Sequence, residues 1–308
     1  MGVLGVLTGF GIIGFVIAVG YGVQRLGILP PDARLVLNRI AFFVATPALL
    51  FTVLSRSHPS TVFSAPLLVT AISVAVAASV YLLASRIWFR QPVAETAVGM
   101  ASSGYVNANN IGLPVAIYVL GSAQLVAPLL LLQLIVLAPL TLTVLDIATR
   151  GKASVGSILS QPVRNPMIIA SLVGLLLALF GVEVPAPVLA PFELIGGAAV
   201  PLVLIAFGMS LVGQKPLAPG SGRAAIIVAS AVKLVIMPLT AYLLARFAFH
   251  LPAHQVFEVV ALASLPTAQN IYNFAARYQR GVVMARDTVL VTTIGSVPLL
   301  VAVAALLA

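Results

Sequence analysis

Ser102-Ser103-Gly104-Tyr105-Val106-Asn107-Ala108-Asn109-Asn110-Ile111-Gly112-Leu113-Pro114 interrupts an apolar stretch that runs from about 94 to 119. A second apolar stretch, at about 255–277, is interrupted by Ser264-Leu265-Pro266-Thr267-Ala268-Gln269-Asn270-Ile271-Tyr272-Asn273. In hydrocarbon every backbone N–H and C=O needs a partner, so amides beside a helix-breaking proline are tolerated only where protein covers them or they line a cavity. Two such interruptions in corresponding halves of a chain predict the substrate site of a transporter.

The composition defines the class of protein. Of the 308 residues 61% are hydrophobic and only 7% are charged, and the mean hydropathy is +1.16. These values indicate an all-α integral membrane protein and exclude a soluble domain. The net charge of +9 comes from basic residues that lie mostly between apolar runs, which indicates membrane topology and not a nucleic-acid surface. The absence of cysteine excludes disulfides and thiolate metal sites.

Apolar runs long enough to cross a bilayer as helices predict ten membrane spans. They lie at about 3–24, 37–54, 64–87, 94–119, 123–146, 165–181, 187–212, 223–247, 255–277 and 285–307.

The basic residues predict the orientation of these spans. With ten spans the connections alternate sides, and thirteen Lys and Arg then fall on one side while only Arg56 and Arg246 fall on the other. Short loops rich in Lys and Arg stay in the cytoplasm. We therefore expect a multi-pass protein of the cell membrane with both termini outside the cytoplasm.

The two halves of the chain share a pattern. Three pairs of landmarks recur at nearly constant separation, namely Pro47 and Pro201 (154 residues), Asn110 and Asn270 (160), and Pro139 and Pro298 (159). Because five spans per half is an odd number, the second copy must run in the opposite direction through the membrane. The sequence thus predicts two inverted five-helix repeats, at 1–146 and 165–308, joined by a short cytoplasmic linker at 147–164.

The two breaks supply the candidate substrate-binding residues. Pro114 cannot donate to the carbonyl of Asn110, and Pro266 likewise releases the carbonyl of Leu262. If the breaks cross, half-helix N-termini favour an anion, and freed carbonyls favour a cation or a donor group. The alternative is that the amides only hydrogen-bond between packed helices. The candidates are Asn107, Asn109, Asn110, Pro114, Pro266, Gln269, Asn270 and Asn273.

Lys233 lies ten residues into an apolar span, roughly 15 Å of helical rise from its start. An ionisable residue at this depth needs a polar interior and a partner. One interpretation makes it a cation that attracts an anionic substrate or replaces a bound Na⁺. The other makes it a structural tie to carbonyls freed by a broken helix.

The remaining ionisable residues suggest little chemistry. Glu258, near the start of a broken span, is the best candidate for a proton-coupled group. The chain has no P-loop, nucleophile elbow, zinc-protease motif or dinucleotide fingerprint, so we expect neither an enzyme nor an ATP-driven pump. No cofactor or metal site is predicted, and coupling to H⁺ or Na⁺ stays open.

Several ordered motifs resemble the auxin efflux carrier family of membrane transporters, which includes the PIN-like proteins. The resemblance covers essentially the whole chain. Its motifs are Gly20-Tyr21-Gly22, Arg25-Leu26-Gly27-Ile28-Leu29-Pro30, Ala45-Thr46-Pro47-Ala48-Leu49-Leu50-Phe51, Asn109-Asn110-Ile111-Gly112-Leu113-Pro114, Lys233-Leu234 with Pro238, and Ala263-Ser264-Leu265-Pro266-Thr267-Ala268-Gln269-Asn270.

The resemblance implies ten helices in two inverted repeats, with broken helices four and nine crossing, as in bile-acid symporters and NhaA. It also implies a scaffold domain, a mobile elevator-type transport domain and a homodimer. Members carry organic anions, including auxin-like monocarboxylates and malonate-like dicarboxylates. This chain departs from the plant branch in its short central loop, and a compact prokaryotic-type member fits better. It also has no acidic residue inside span three, which argues against carboxylate-based coupling there.

The sequence therefore favours a secondary carrier of a small organic carboxylate in the lipid bilayer, with Asn110 and Asn270 facing the substrate. A cation/proton antiporter of similar fold and a non-transporting membrane sensor stay open as alternatives. The sequence determines neither the substrate nor the direction of transport.

Overall fold

The computed structural model describes residues 3–30, 32–57, 64–150, 165–213, 217 and 222–307, with no side-chain description for 3–7, 9, 10 and 150. Across these residues the fold is helical, and helix is found at every apolar stretch that was predicted to span the membrane. The helices are α1 Val3–Arg25, α2 Ala33–Ser55, α3 Ala65–Phe89, α4 Val93–Gly104, α5 Leu113–Tyr118, α6 Ala123–Thr149, α7 Pro166–Leu179, α8 Ala186–Ser210, α9 Arg223–Ala248, α10 Ala253–Ala263, α11 Gln269–Tyr278 and α12 Val282–Leu307.

Within the described residues, six helices are long and apolar enough to cross a membrane: α2, α3, α6, α8, α9 and α12. Shorter apolar helices lie at Gly11–Arg25, Pro166–Leu179 and Ala253–Ala263. The fold is thus that of an α-helical membrane protein, while the ten crossings and the inverted repeat stay predictions.

Four of the six wide π-helical turns in the described residues lie just before a proline. A proline lacks an N–H, and its ring clashes with the carbonyl four residues earlier. In these four cases the clashing carbonyl belongs to the middle residue of the wide turn. The extra residue in the turn moves this carbonyl away from the proline ring. The turns and their prolines are Ala41–Ala45 with Pro47, Ala108–Gly112 with Pro114, Gln133–Leu137 with Pro139, and Val232–Ile236 with Pro238.

The helices form two compact units, each assembled from separate parts of the chain. The first unit comprises Met1–Ser64, Asn109–Leu131 and Leu159–Gln214, and the second comprises Ala65–Ala108, Leu132–Ile158 and Lys215–Ala308. Each unit takes helices from both predicted repeats. The division into compact units does not test whether the two halves of the chain are related by symmetry, so the inverted repeats stay a prediction. Of the predicted linker, 151–164 lie outside the described residues, and helix continues through Arg150.

The first unit packs α1 against α8, and α2 against α7 and α8. Glycine allows these backbones to approach closely. A Cβ built on Gly208 would overlap the carbonyl of Ile17, and one built on Gly20 would overlap Ile205. Between apolar helices in a membrane such small-residue contacts replace the hydrophobic driving force that acts in water.

The second unit packs α3, α4, the end of α6 and α9–α12 around one core. Tyr81, Val98, Tyr105, Leu145 and Ile226 are among its buried members. This core surrounds the two predicted breaks at the end of α4 and between α10 and α11. The second unit therefore contains the end of α4 and the break between α10 and α11, from which the sequence predicted a substrate site.

Candidate functional site at the paired helix breaks

The ends of the two interrupted helices are joined through their backbones in the second unit. Val106 and Thr267 face each other in an isolated antiparallel bridge. The flanking hydrogen bonds run from the Asn107 N–H to the Pro266 carbonyl (2.7 Å) and from the Ala268 N–H to the Tyr105 carbonyl (3.0 Å). Each break thus supplies partners for backbone groups that the other break leaves outside a helix. We refer to this contact of the two breaks as the crossing; that the two complete spans cross each other stays a prediction.

Thr267 is the best-connected residue of this crossing. Its hydroxyl donates to the carbonyl of Ser102 at 2.6 Å, and its N–H donates to the hydroxyl of Thr292 at 3.1 Å. All three residues are fully buried. Thr267 therefore ties the second break both to the end of α4 and to the middle of α12.

Polar side chains from two neighbouring helices complete the hydrogen bonding of the breaks. The Gln133 side chain, on α6, donates to the carbonyl of Val106 at 2.8 Å. The Lys233 ammonium, on α9, donates to the carbonyl of Ala263 at 2.7 Å. Both side chains start from wide turns that precede prolines, and both are buried. The protein thereby supplies donors at positions where water would otherwise be needed.

Lys233 makes the structural tie that the second interpretation of the sequence predicted. Besides the bond to Ala263, its Nζ lies 3.2 Å from the sulfur of Met237, and the side chain has no exposed surface. Ala263 is the last residue of α10, so the ammonium sits at the negative end of a helix dipole. The sequence predicted that Pro266 frees the carbonyl of Leu262. In the structure that carbonyl accepts the N–H of Leu265 in a turn, and the carbonyl that Lys233 binds is the next one, of Ala263. A direct role in substrate binding stays a prediction.

The predicted amides of the second break lie at the start of α11. Gln269 and Asn270 are its first two residues and are half-buried, whereas Asn273 is exposed. The Asn270 side chain is hydrogen-bonded to the hydroxyl of Tyr105, which comes from the first break. Backbone N–H groups and the positive end of the dipole also point toward the beginning of a helix. The start of α11 is therefore suited to an anionic group.

The predicted residues of the first break are divided between the two units. Asn107 is buried in the second unit, at the crossing itself. Asn109, Asn110 and Pro114 belong to the first unit, where the Asn109 amide donates to the side-chain oxygen of Asn110 at 2.9 Å. Their part in a substrate site stays a prediction.

Glu258 lies on α10 of the second unit and is half-buried. It precedes the end of that helix by more than a turn. Its predicted role in proton coupling stays a prediction.

Two participants in the crossing were not selected from the sequence. Gln133 is a lone amide in the apolar run Leu129–Val136, and that isolation was a usable signal. Thr292 gave no comparable signal, because hydroxyl side chains are common in membrane helices, where they bond to their own backbone. Its contact with Thr267 depends on helices that are distant in the sequence.

Comparison with known proteins gives a family match along nearly the entire chain. The family model described as "Membrane transport protein" matches residues 10–157 and 153–303. These two matched ranges include both helix breaks and both ends of the hydrogen-bonded crossing. The match therefore covers the same features that the geometry singles out.

Three curated relatives are similar in length. The "Putative malonate transporter" of Rhizobium meliloti is 28% identical over 95% of this chain and 91% of its own length. The "Uncharacterized transporter MJ1031" of Methanocaldococcus jannaschii is 24% identical over 90% and 91%, and the "Uncharacterized transporter YfdV" of Escherichia coli is 25% identical over 85% of each chain. Together with the apolar helices, the family match makes this chain a multi-pass membrane protein of the "Membrane transport protein" family, the auxin efflux carrier family that its motifs resemble.

Proposed function

We propose that this chain is a secondary carrier that moves a small organic carboxylate across the membrane by alternating access. Membership of a transport family supports the general class. The name of the Rhizobium meliloti relative suggests a malonate-like dicarboxylate as the first substrate to test. An auxin-like monocarboxylate is the second candidate within the same chemical class.

The observation that carries this proposal is the hydrogen-bonded pair of helix breaks. Discontinuous helices let a membrane protein direct backbone dipoles and polar side chains at a bound ion without exposing them to lipid. The start of α11, with Gln269 and Asn270, is suited to a carboxylate. Lys233 adds a positive charge within the same unit. The chemistry of these groups supports carboxylate binding at this break.

The proposed architecture has ten membrane spans in two inverted repeats, with both termini outside the cytoplasm. It further includes a homodimer and an elevator-type movement of a transport domain. The family resemblance and the matched positions of the apolar stretches support this proposal. Cysteine labelling of each connection from either side of the membrane tests the topology directly.

The experiment that tests the function is uptake of radiolabelled malonate into proteoliposomes. We expect uptake by the unaltered protein down an applied malonate gradient, and at least tenfold slower uptake by Asn270→Ala at equal folded yield. The matched control is Asn38→Ala, which removes a half-buried amide on α2, outside both broken spans. Asn38→Ala should retain uptake. Equal uptake by Asn270→Ala and the unaltered protein would refute the site.

The same preparation separates the alternatives. Binding of carboxylates without flux would identify a sensor. Flux of Na⁺ or H⁺ that needs no carboxylate would identify an antiporter. Either result would overturn the proposed function.

A further inference from the structure

Three buried hydroxyl groups in the second unit have no hydrogen-bond partner among the described residues. They are Ser102 Oγ on α4, Ser230 Oγ on α9 and Thr288 Oγ1 on α12. These residues are 0%, 5% and 0% exposed. A buried hydroxyl that finds no hydrogen-bond partner destabilises the folded protein, because it has lost its bonds to water. Most hydroxyls in these helices avoid this cost by bonding to their own backbone, so three exceptions in one unit need an explanation.

The three helices that carry these hydroxyls pack against one another and start at the same end of the unit. Arg280, just before α12, lies 3.4 Å from Glu95 at the start of α4. Leu217 joins the starts of the other two helices, because its N–H donates to Asp287 at 2.9 Å and its carbonyl accepts from Arg223 at 2.9 Å. The helices α4, α9 and α12 are therefore parallel neighbours.

Counting from this common end places the hydroxyls at a similar depth. Ser102, Ser230 and Thr288 lie nine, seven and six residues past the first residues of α4, α9 and α12. At 1.5 Å per residue, these positions correspond to a rise of about 9–14 Å. The three groups thus lie within about one helical turn of the same level.

Close contacts show which faces of α4 and α12 meet. A Cβ built on Gly281, immediately before α12, would lie 3.2 Å from Val98 of α4. On α12 itself, Thr288 lies one turn before Thr292, whose hydroxyl accepts the N–H of Thr267 while the Thr267 hydroxyl donates to the carbonyl of Ser102. Ser102 lies one turn after Val98, on the face of α4 that meets α12. Ser102 and Thr288 therefore approach each other between the two helices.

A second contact brings in α9. A Cβ built on Gly295 would lie 2.5 Å from Leu234 of α9. Gly295 lies seven residues after Thr288, on the same face of α12. Ser230 lies one turn before Leu234, toward the level of Thr288. Ser102 from α4 and Ser230 from α9 thus both approach the face of α12 that carries Thr288.

The charge beside this cluster indicates what it binds. Lys233 lies one turn beyond Ser230 and is bonded only to a carbonyl and a thioether, and no ion pair joins it to a carboxylate in the described part of the chain. Asp287, next to Thr288, is already held by Arg286 at 2.8 Å and by the N–H of Leu217. The cluster therefore combines unused hydroxyl donors with a buried lysine whose charge is offset by a carbonyl and a helix end but by no carboxylate of the described residues.

We propose that Ser102, Ser230 and Thr288 form a binding site for one small monovalent anion of halide size, next to Lys233. An anion accepts hydrogen bonds from all three hydroxyls and balances the ammonium. Water would satisfy the hydroxyls but leave the charge, and a metal cation would add to it. The site rests on the packing of the second unit and does not require carboxylate transport, although Lys233 contributes its charge to both proposed sites.

The test is the stability of the purified protein in sodium chloride against sodium gluconate at equal ionic strength. A ligand at ten times its Kd raises the folded-to-unfolded ratio about elevenfold, and we expect a chloride-dependent gain of this kind. Thr288→Val should abolish most of this gain while being no less stable than the unaltered protein in gluconate, because it removes an unpartnered hydroxyl. Ser230→Ala should behave in the same way.

Thr293→Val is the matched control, since Thr293 is buried on the same helix but bonds to its own backbone at 2.7 Å. It should keep the chloride effect. Bromide-soaked crystals should show an anomalous peak at the three hydroxyls. No difference between chloride and gluconate, or an equal difference in Thr288→Val, would overturn the proposal.

Malonate added in gluconate tells whether the bound group is a halide or the carboxylate end of a substrate. Stabilisation by chloride that adds to that by malonate identifies a separate halide site. If malonate stabilises and chloride does not, the halide site is refuted while carboxylate transport stands.

Discussion

Replacing Thr267 by Val tests whether the crossing of the two breaks stabilises the second unit. Valine has nearly the shape of threonine, so the substitution removes the hydroxyl without opening a cavity. The lost hydrogen bond is the 2.6 Å contact with the carbonyl of Ser102. The backbone N–H of residue 267 can still donate to Thr292. The substitution is therefore specific for one link between α4 and the second break.

The expected cost follows from the surroundings of the Ser102 carbonyl. Within the described residues the Thr267 hydroxyl is the donor to this carbonyl, and both residues are fully buried. A buried acceptor left without a donor costs about 1–3 kcal/mol. By contrast, the Thr293 hydroxyl bonds to the carbonyl of Val289 inside a continuous helix, where a backbone N–H also reaches that carbonyl. Thr293→Val should therefore cost only about 0.5 kcal/mol.

The measurement is an unfolding equilibrium in mixed detergent micelles with increasing sodium dodecyl sulfate, followed by circular dichroism. Thr267→Val should lower the folded-to-unfolded ratio about 5- to 30-fold relative to Thr293→Val, which corresponds to about 1–2 kcal/mol. Equal stability of the two variants would refute the assignment of this hydrogen bond as a support of the crossing. A larger loss in Thr293→Val would refute it as well.

Two further changes test the packing of each unit by the same unfolding measurement. Gly208→Ala should cost about 1–3 kcal/mol, because the new Cβ meets the backbone of α1. The control Gly197→Ala adds a Cβ in open space and should be neutral or stabilising. Equal effects of the two substitutions would contradict the close contact at Gly208. Tyr278→Phe should cost about 1.5–3 kcal/mol, because its hydroxyl donates to the carboxylate of Asp146 at 2.9 Å in a buried position. The control Tyr272→Phe, at an exposed position, should change stability little, and a neutral Tyr278→Phe would show that this bond is not formed.

The positions of the helices were predictable because the bilayer requires long apolar stretches, and nothing else in the chain resembles them. The breaks were predictable for a similar reason. Proline and several amides are costly inside an apolar helix, so their presence at Pro114 and Pro266 indicated interrupted geometry.

The partners across the crossing could not be read from the sequence. The bond between Thr267 and Ser102 joins residues 165 positions apart, and the donor to the Val106 carbonyl is Gln133, which lies 27 positions away on another helix. Such contacts depend on the rotation of each helix, which a wide turn before a proline changes by a fraction of a turn.

The backbone pairing of the two breaks has a consequence for biosynthesis. The end of α4 obtains hydrogen-bond partners from Pro266 and Thr267, which leave the ribosome some 165 residues after Ser102. At about 5–20 residues per second, this interval lasts roughly 8–33 s. During that time the first broken segment cannot satisfy its backbone in lipid on its own. Its stable insertion therefore awaits the second broken segment, and a chain truncated before residue 266 should be retained by the insertion machinery or degraded.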